Sequence, residues 1–121
     1  MHLLVCDDDA SVGAFLTSVF AWDGWTVTTV TSGPECVEAV KRFTPDLIVL
    51  DQVMPNMTGI ETARLMRGDG YGNPIVLFSA YLTPELQPAV AELDLREVSK
   101  IDTEAVVRIL RAFEAQLQGS P

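Results

Sequence analysis

Residues 47–56, LIVLDQVMPN, run through four apolar side chains directly into Asp51. A desolvated charge is costly without partners, so a carboxylate placed there has to be held for a purpose. The run before it reads as a fully buried strand, the kind found inside parallel sheets covered by helices.

The flanking sequence repeats that theme. LLVC (3–6) and IVLFS (75–79) are further apolar strands. WTVTTV (25–30) is β-branched and partly alternating, and EVS (97–99) is short, so both suit edges. Between the strands lie helical patterns. Residues 10–22 set Val12, Phe15, Leu16 and Val19 on one face, with Gly24 as the stop. SGPE (32–35) opens a second helix: Ser32 caps it, Pro34 lies in its first turn and Glu35 completes a capping box, and Pro45 ends it after Phe43. Thr58 and Gly59 open a third, running to Met66, followed by the loop GDGYGN (68–73). A fourth lies between Thr83 and Leu93, short or kinked near Pro88. Asp102 starts a fifth with a core face of Val106, Ile109, Leu110, Phe113 and Leu117. Five strands alternating with five helices give right-handed βαβ units. The fold class is α/β: a doubly wound, five-stranded parallel sheet of order 2-1-3-4-5, flavodoxin-like, with helices on both faces.

At 121 residues the chain suits one domain, residues 1–121, and 48% hydrophobic residues argue against disorder. The net charge of −9 argues against direct nucleic-acid binding, which calls for a basic face, and fits a cytoplasmic protein. No apolar run approaches the ~18 residues of a membrane span, so no membrane partner is expected. Cys6 and Cys36 read as reduced core thiols, and one histidine, His2, cannot build a zinc site. Trp22 and Trp25 bracket a turn and read as packing residues.

In an open α/β sheet, ligands bind beyond the carboxyl ends of the strands where the order reverses. Here that point lies between strands one and three, which end into Asp7, Asp8 and Asp51. Three converging carboxylates repel one another, so they require a cation. Oxygen ligands without nearby His or Cys favour Mg²⁺, with Mn²⁺ as the substitute. Strand four ends into Ser79 and strand five into Lys100. A carboxylate nucleophile, a divalent ion, a hydroxyl and an ammonium make a phosphoryl-transfer site. Asp9 reads as a helix cap.

At these residues, in the motifs VCDDD, DLIVLDQVMPNMTG, VLFSA and SK, the whole chain resembles a receiver domain, the phospho-acceptor module of bacterial two-component response regulators. The resemblance implies phosphorylation of Asp51 by a sensor histidine kinase or phosphotransfer protein, and output through a downstream protein or a fused output domain. It implies Mg²⁺ held by Asp7, Asp8, Asp51 and the backbone carbonyl of Val53, and a switch made of Ser79, Lys100 and the following Tyr81. The affected surface would lie around the fourth helix, fifth strand and fifth helix, on a monomer or weak dimer. No enzymatic activity is expected beyond self-phosphorylation and self-dephosphorylation. Two positions depart from the pattern. Ile101 follows the lysine where proline is usual, and a cis bond there would cost ~2.5–4 kcal/mol, so a trans peptide is expected. Glu97 occupies the aromatic switch position. These departures leave a second reading, a degenerate receiver acting as a phosphorylation-independent binding module. A phosphatase of the haloacid-dehalogenase type would need a second aspartate where Val53 stands.

Overall fold

Strands form where the sequence is apolar or β-branched: β1 (His2–Cys6), β2 (Thr26–Val30), β3 (Leu47–Leu50), β4 (Ile75–Ser79) and β5 (Leu95–Ser99). In the computed structural model, which describes residues 1–119, all neighbours pair in parallel in the order β2-β1-β3-β4-β5. The three apolar strands are central and the two more polar ones are edges, as expected.

Alternation along each strand splits the core into two layers. Leu4, Cys6, Ile48, Leu50, Ile75 and Leu77 face α2 (Gly33–Arg42), α3 (Gly59–Gly68) and α4 (Gln87–Glu92). Leu3, Val5, Leu47, Val49, Val76 and Phe78 face α1 (Ala10–Phe20) and α5 (Thr103–Leu117). Capping sets the helix starts. Asp9 Oδ1 accepts from Ser11 N, Asp102 Oδ1 from Ala105 N, and Thr58 forms a full capping box with Glu61. At α2, Ser32 Oγ accepts from Glu35 N, but the Glu35 carboxylate accepts from Thr31 N, one residue upstream of the expected box.

Several local expectations need correction. The first helix ends at Phe20; a tight turn, Ala21–Asp23, follows before Gly24 at φ +81°. Trp25 is buried and stacks on Phe20, but Trp22 is 88% exposed and packs into no core. The third helix runs on to Gly68, and β5 starts at Leu95. The fourth helix is short, as expected, and starts at Gln87, later than Thr83. A turn at Pro84–Leu86 precedes a six-residue α4, with Pro88 in its first turn, where a missing N–H costs nothing. On α5, Val106 and Leu110 are buried, Ile109 and Phe113 half-buried, and Leu117 exposed.

One side chain ties two loop segments together. Arg67 donates through Nε to Leu93 O (2.8 Å), through Nη1 to Tyr71 O (2.9 Å) and Asn73 O (2.7 Å), and through Nη2 to Asp94 O (3.1 Å). The fork reaches four carbonyls that helix ends and loops would otherwise leave short of partners. Arg67→Ala is expected to cost about 1.5–3 kcal/mol in urea denaturation. Arg67→Lys should recover less than half of that, because a compact ammonium cannot span the four acceptors.

Candidate functional site

The ends of β1 and β3 are joined by a hydrogen bond from Asp51 N to Cys6 O (3.0 Å), which sets Asp51 beside Asp7 and Asp8. Carboxylate oxygens of all three aspartates lie within 4.8 Å of one another. Lys100, directly after β5, reaches across the sheet end. Its Nζ stands 2.7 Å from Asp7 Oδ2 and 3.1 Å from Asp51 Oδ2. The backbone holds the same geometry: Lys100 N donates to Ser79 O (3.2 Å), which keeps the ends of β4 and β5 in register.

Each carboxylate has a different set of partners. Asp7 is buried and fully engaged, with Oδ1 accepting from Asp9 N (2.9 Å) and Oδ2 from Lys100. Asp51 is buried too, with Oδ1 accepting from Gln52 N (2.8 Å). Asp8 is exposed. Burial raises the Asp7 carboxyl above its ordinary range, opposed by Lys100 and the Asp9 amide and reinforced by the Asp51 charge. Burial draws the Lys100 ammonium down, but its bonds to Asp7 and Asp51 outweigh this and hold it above its usual value. Three carboxylates against one ammonium leave the crevice short of positive charge. A hard, all-oxygen donor set with an exposed member fits a divalent ion such as Mg²⁺.

Ser79 is fully buried at the end of β4, and its Oγ accepts from Tyr81 N (3.2 Å), keeping its own proton to donate. Tyr81 itself is 62% exposed, and Val53, on the loop after Asp51, is 51% exposed. The structure therefore brings Asp7, Asp8, Asp51 and Lys100 into one cluster, sets Ser79 at the adjoining strand end, and leaves the Tyr81 and Val53 side chains on the rim. Glu97 is half-buried on β5 and accepts a hydrogen bond from Gln87 Nε2 at the start of α4. Ile101 is 92% exposed, and among the described residues every peptide bond is trans, as expected.

Two contributors escaped the sequence reading. Gln52 Oε1 accepts from Ile60 N (2.9 Å), and Gln52 O accepts from Gly59 N (2.9 Å), so the residue after Asp51 caps α3. Gly59 is pressed against the backbone of Asp51: a Cβ there would stand 2.3 Å from Asp51 O. The sequence marks Gly59 as a helix opener, but a steric limit set by a residue eight positions away leaves no local signal.

Residues 3–101 match the family described as response regulator receiver domain. The chain is 40% identical over 79 residues to the DNA-binding response regulator MtrA of Mycobacterium tuberculosis, covering 65% of this chain and 34% of that protein. It is 36% identical over 80 residues to the response regulator MprA of Mycobacterium leprae, covering 66% and 35%. The matched region thus spans about a third of the length of these relatives. In fold it is similar to the BeF3-activated N-terminal receiver domain of Klebsiella pneumoniae RstA, with a TM-score of 0.84, 23% identity and coverage of 96% and 100%. It is also similar to the response regulator TrrA of Thermotoga maritima in complex with Mg²⁺–BeF, with a TM-score of 0.72, 23% identity and coverage of 91% and 96%.

The close approach at Gly59 gives a prediction with a sign. Glycine to alanine inside a helix ordinarily stabilises, by up to about 1 kcal/mol. Gly68→Ala, where nothing lies within 4 Å, should follow that rule. Gly59→Ala should instead destabilise by about 1–3 kcal/mol, the cost of overpacking. Denaturant titration of the two variants side by side measures the difference.

Proposed function

Since the chain belongs to the response regulator receiver domain family of two-component signalling, we propose that Asp51 is its phosphoacceptor and that the surrounding residues form a phospho-switch. The observation that carries this reading is the Lys100 ammonium lying between Asp7 and Asp51, with the exposed Asp8 beside them. Family members are phospho-acceptor signalling domains and not enzymes in the ordinary sense. Self-phosphorylation from a small donor and self-dephosphorylation are the only reactions assigned to this chain.

Asp51 sits on a rigid strand end, so its carboxylate meets a donor phosphorus without reorganising. An oxygen of Asp51 forms the new P–O bond as the P–N bond of a phosphohistidine breaks, and the departing imidazole keeps the electron pair. Lys100 stands where charge builds on the phosphoryl oxygens. Asp8, Asp51 and the carbonyl of Val53, with Asp7 through water, would hold Mg²⁺ (or Mn²⁺), which would supply positive charge to the same oxygens.

The switch runs through Ser79. Its hydroxyl turns toward the phosphoryl group, and the bond from Tyr81 N draws the segment after β4 with it. That segment leads to Gln87, which is bonded to Glu97. The effect therefore reaches the face formed by α4, β5 and α5 without an aromatic rotamer at position 97.

The partners proposed are a sensor histidine kinase or phosphotransfer protein upstream, and a downstream protein or fused output domain. The relatives named above include DNA-binding regulators. We assign no direct nucleic-acid contact to this unit, given its charge of −9. Residues 1–121 act as one receiver domain, as a monomer or weak dimer in the cytoplasm. Among the described residues no helix is long and apolar enough to cross a membrane.

Incubation with Mg²⁺ and acetyl phosphate should add one phosphoryl group to the wild type and none to Asp51→Ala, read by intact mass. Equal uptake by the variant would overturn the assignment. Asp8→Ala should weaken Mg²⁺ binding by at least about tenfold, the range for loss of even an outer-shell partner. Calorimetric titration measures this, and the exposed position of Asp8 means that thermal stability should hold.

A further inference from the structure

The two edges of the sheet are not alike. β5 carries Arg96 and Glu97, and a charged edge deters further strands from pairing with it. β2 reads TVTTV, a β-branched run with no charge, proline or glycine, and its register with β1 is unbroken. The uncharged region is wider than the strand: of residues 10–34 only Asp23 is charged, in a chain with 21% charged residues. The backbone of β2 divides between its two sides. Thr26 N donates to Met1 O (2.9 Å), and Val30 O accepts from Asp7 N (3.1 Å), so both residues face β1. Pairing alternates along a strand, so Thr28 faces β1 as well, and Val27 and Thr29 turn their N–H and C=O groups to the open edge. Among the described residues no loop or side chain bonds to those groups. The neighbouring helix leaves the edge accessible. α1 borders it with Ala10, Gly13, Ala14 and Thr17, small side chains along a groove of about 500 Å³.

We propose that two copies of this chain associate through β2, edge to edge and antiparallel, about a two-fold axis at Thr28. The outward-facing residues lie symmetrically on either side of that axis. Val27 of each copy then meets Thr29 of the other, and each pair exchanges both of its N–H···O bonds. Thr28 stands opposite Thr28, a favourable cross-strand pair, and Thr26 stands opposite Val30. The flank on the α2 side complements itself under the same operation. Glu35 and Glu38 lie toward the start of that helix and Arg42 at its end, beside Thr28 and Val30. The two-fold reverses one helix against the other, so Arg42 of each copy approaches the acidic end of its counterpart. Two chains of net charge −9 repel over most of their surface, and this uncharged edge is where they can meet.

The pairing joins two five-stranded sheets into one continuous sheet. β2 and β5 are opposite edges, so the face formed by α4, β5 and α5 stays free in each copy. Association needs no phosphoryl group, so it goes beyond the phospho-switch and stands even if that reading fails.

Sedimentation equilibrium of the full chain over a wide concentration series should fit a reversible monomer–dimer association. Thr29→Pro removes an outward N–H, which takes no ladder bond from the single chain. It should weaken the dimer at least about tenfold, the worth of the lost interchain bonds. Thr28→Lys sets two ammonium groups face to face at the axis and should weaken it too. Arg96→Ala, on the opposite edge, should leave association unchanged. Cross-linking checks the register, both native cysteines being buried. Thr28→Cys should oxidise to a disulfide-linked dimer, because directly opposite residues that share no ladder bond bring their Cα atoms about 4.5 Å apart. Thr26→Cys is more exposed but stands opposite Val30, so it should not. A chain that stays monomeric throughout would overturn the proposal and leave the edge to a strand from another protein. A dimer that both Thr29→Pro and Thr28→Lys leave intact, or equal cross-linking of the two cysteine variants, would overturn it as well.

Discussion

Lys100 stands 2.7 Å from one aspartate and 3.1 Å from another, and much of the architecture serves to bring that about. Asp7 and Asp51 are both buried, on adjoining strands, and without a cation between them their mutual repulsion would open the sheet end. The ammonium comes from the far edge, two strands away from β3. It arrives only because β3, β4 and β5 keep register, through pairs such as Leu50 with Leu77 and Ser79 with Ser99. Core packing, strand order and charge compensation are thus one problem, solved at one place.

The fold was legible because each of its causes is local. Apolar runs announce central strands, and Ser32, Thr58 and Asp102 announce helix starts by chemistry that acts within three residues. The carboxylates at the ends of strands one and three were legible for a related reason: strand order puts consecutive crevice residues where topology says a ligand should go. What stayed hidden depends on residues far apart in sequence. Arg67 reads as one more surface cation until loops at 71–73 and 93–94 supply its acceptors. Trp22 and Trp25 are three positions apart and of one chemical type, yet one is exposed and the other buried, because the turn at Ala21–Asp23 reverses which side meets the core.

The two departures from the receiver pattern have different weights in the structure. Ile101 projects into solvent after a trans peptide, and the lysine before it still reaches both carboxylates. The unusual residue has therefore not disturbed the charge arrangement. Glu97 is more consequential. A polar side chain half-buried on β5 takes a partner from α4, which ties the two elements by a directional bond where a ring would do so by packing. A hydrogen bond has a narrow range of productive geometries, so a small displacement of α4 breaks it instead of deforming it.

The placement of the two tryptophans also decides how this protein can be watched. Trp25 lies at the start of β2, stacked on Phe20 with its Nε1–H donated to Glu114, and Trp22 stands in solvent on the preceding turn. Both therefore belong to the amino-terminal end of the sheet, opposite the aspartates. Their emission is a pair of superposed signals, one from a shielded indole and one from a hydrated indole. Neither indole has an optical view of the acidic crevice. Tyr81, two residues past Ser79 and exposed, is a weak emitter. Intrinsic fluorescence of this chain is thus a gauge of global unfolding and of the seam between α1 and α5, and is silent on events at Asp51.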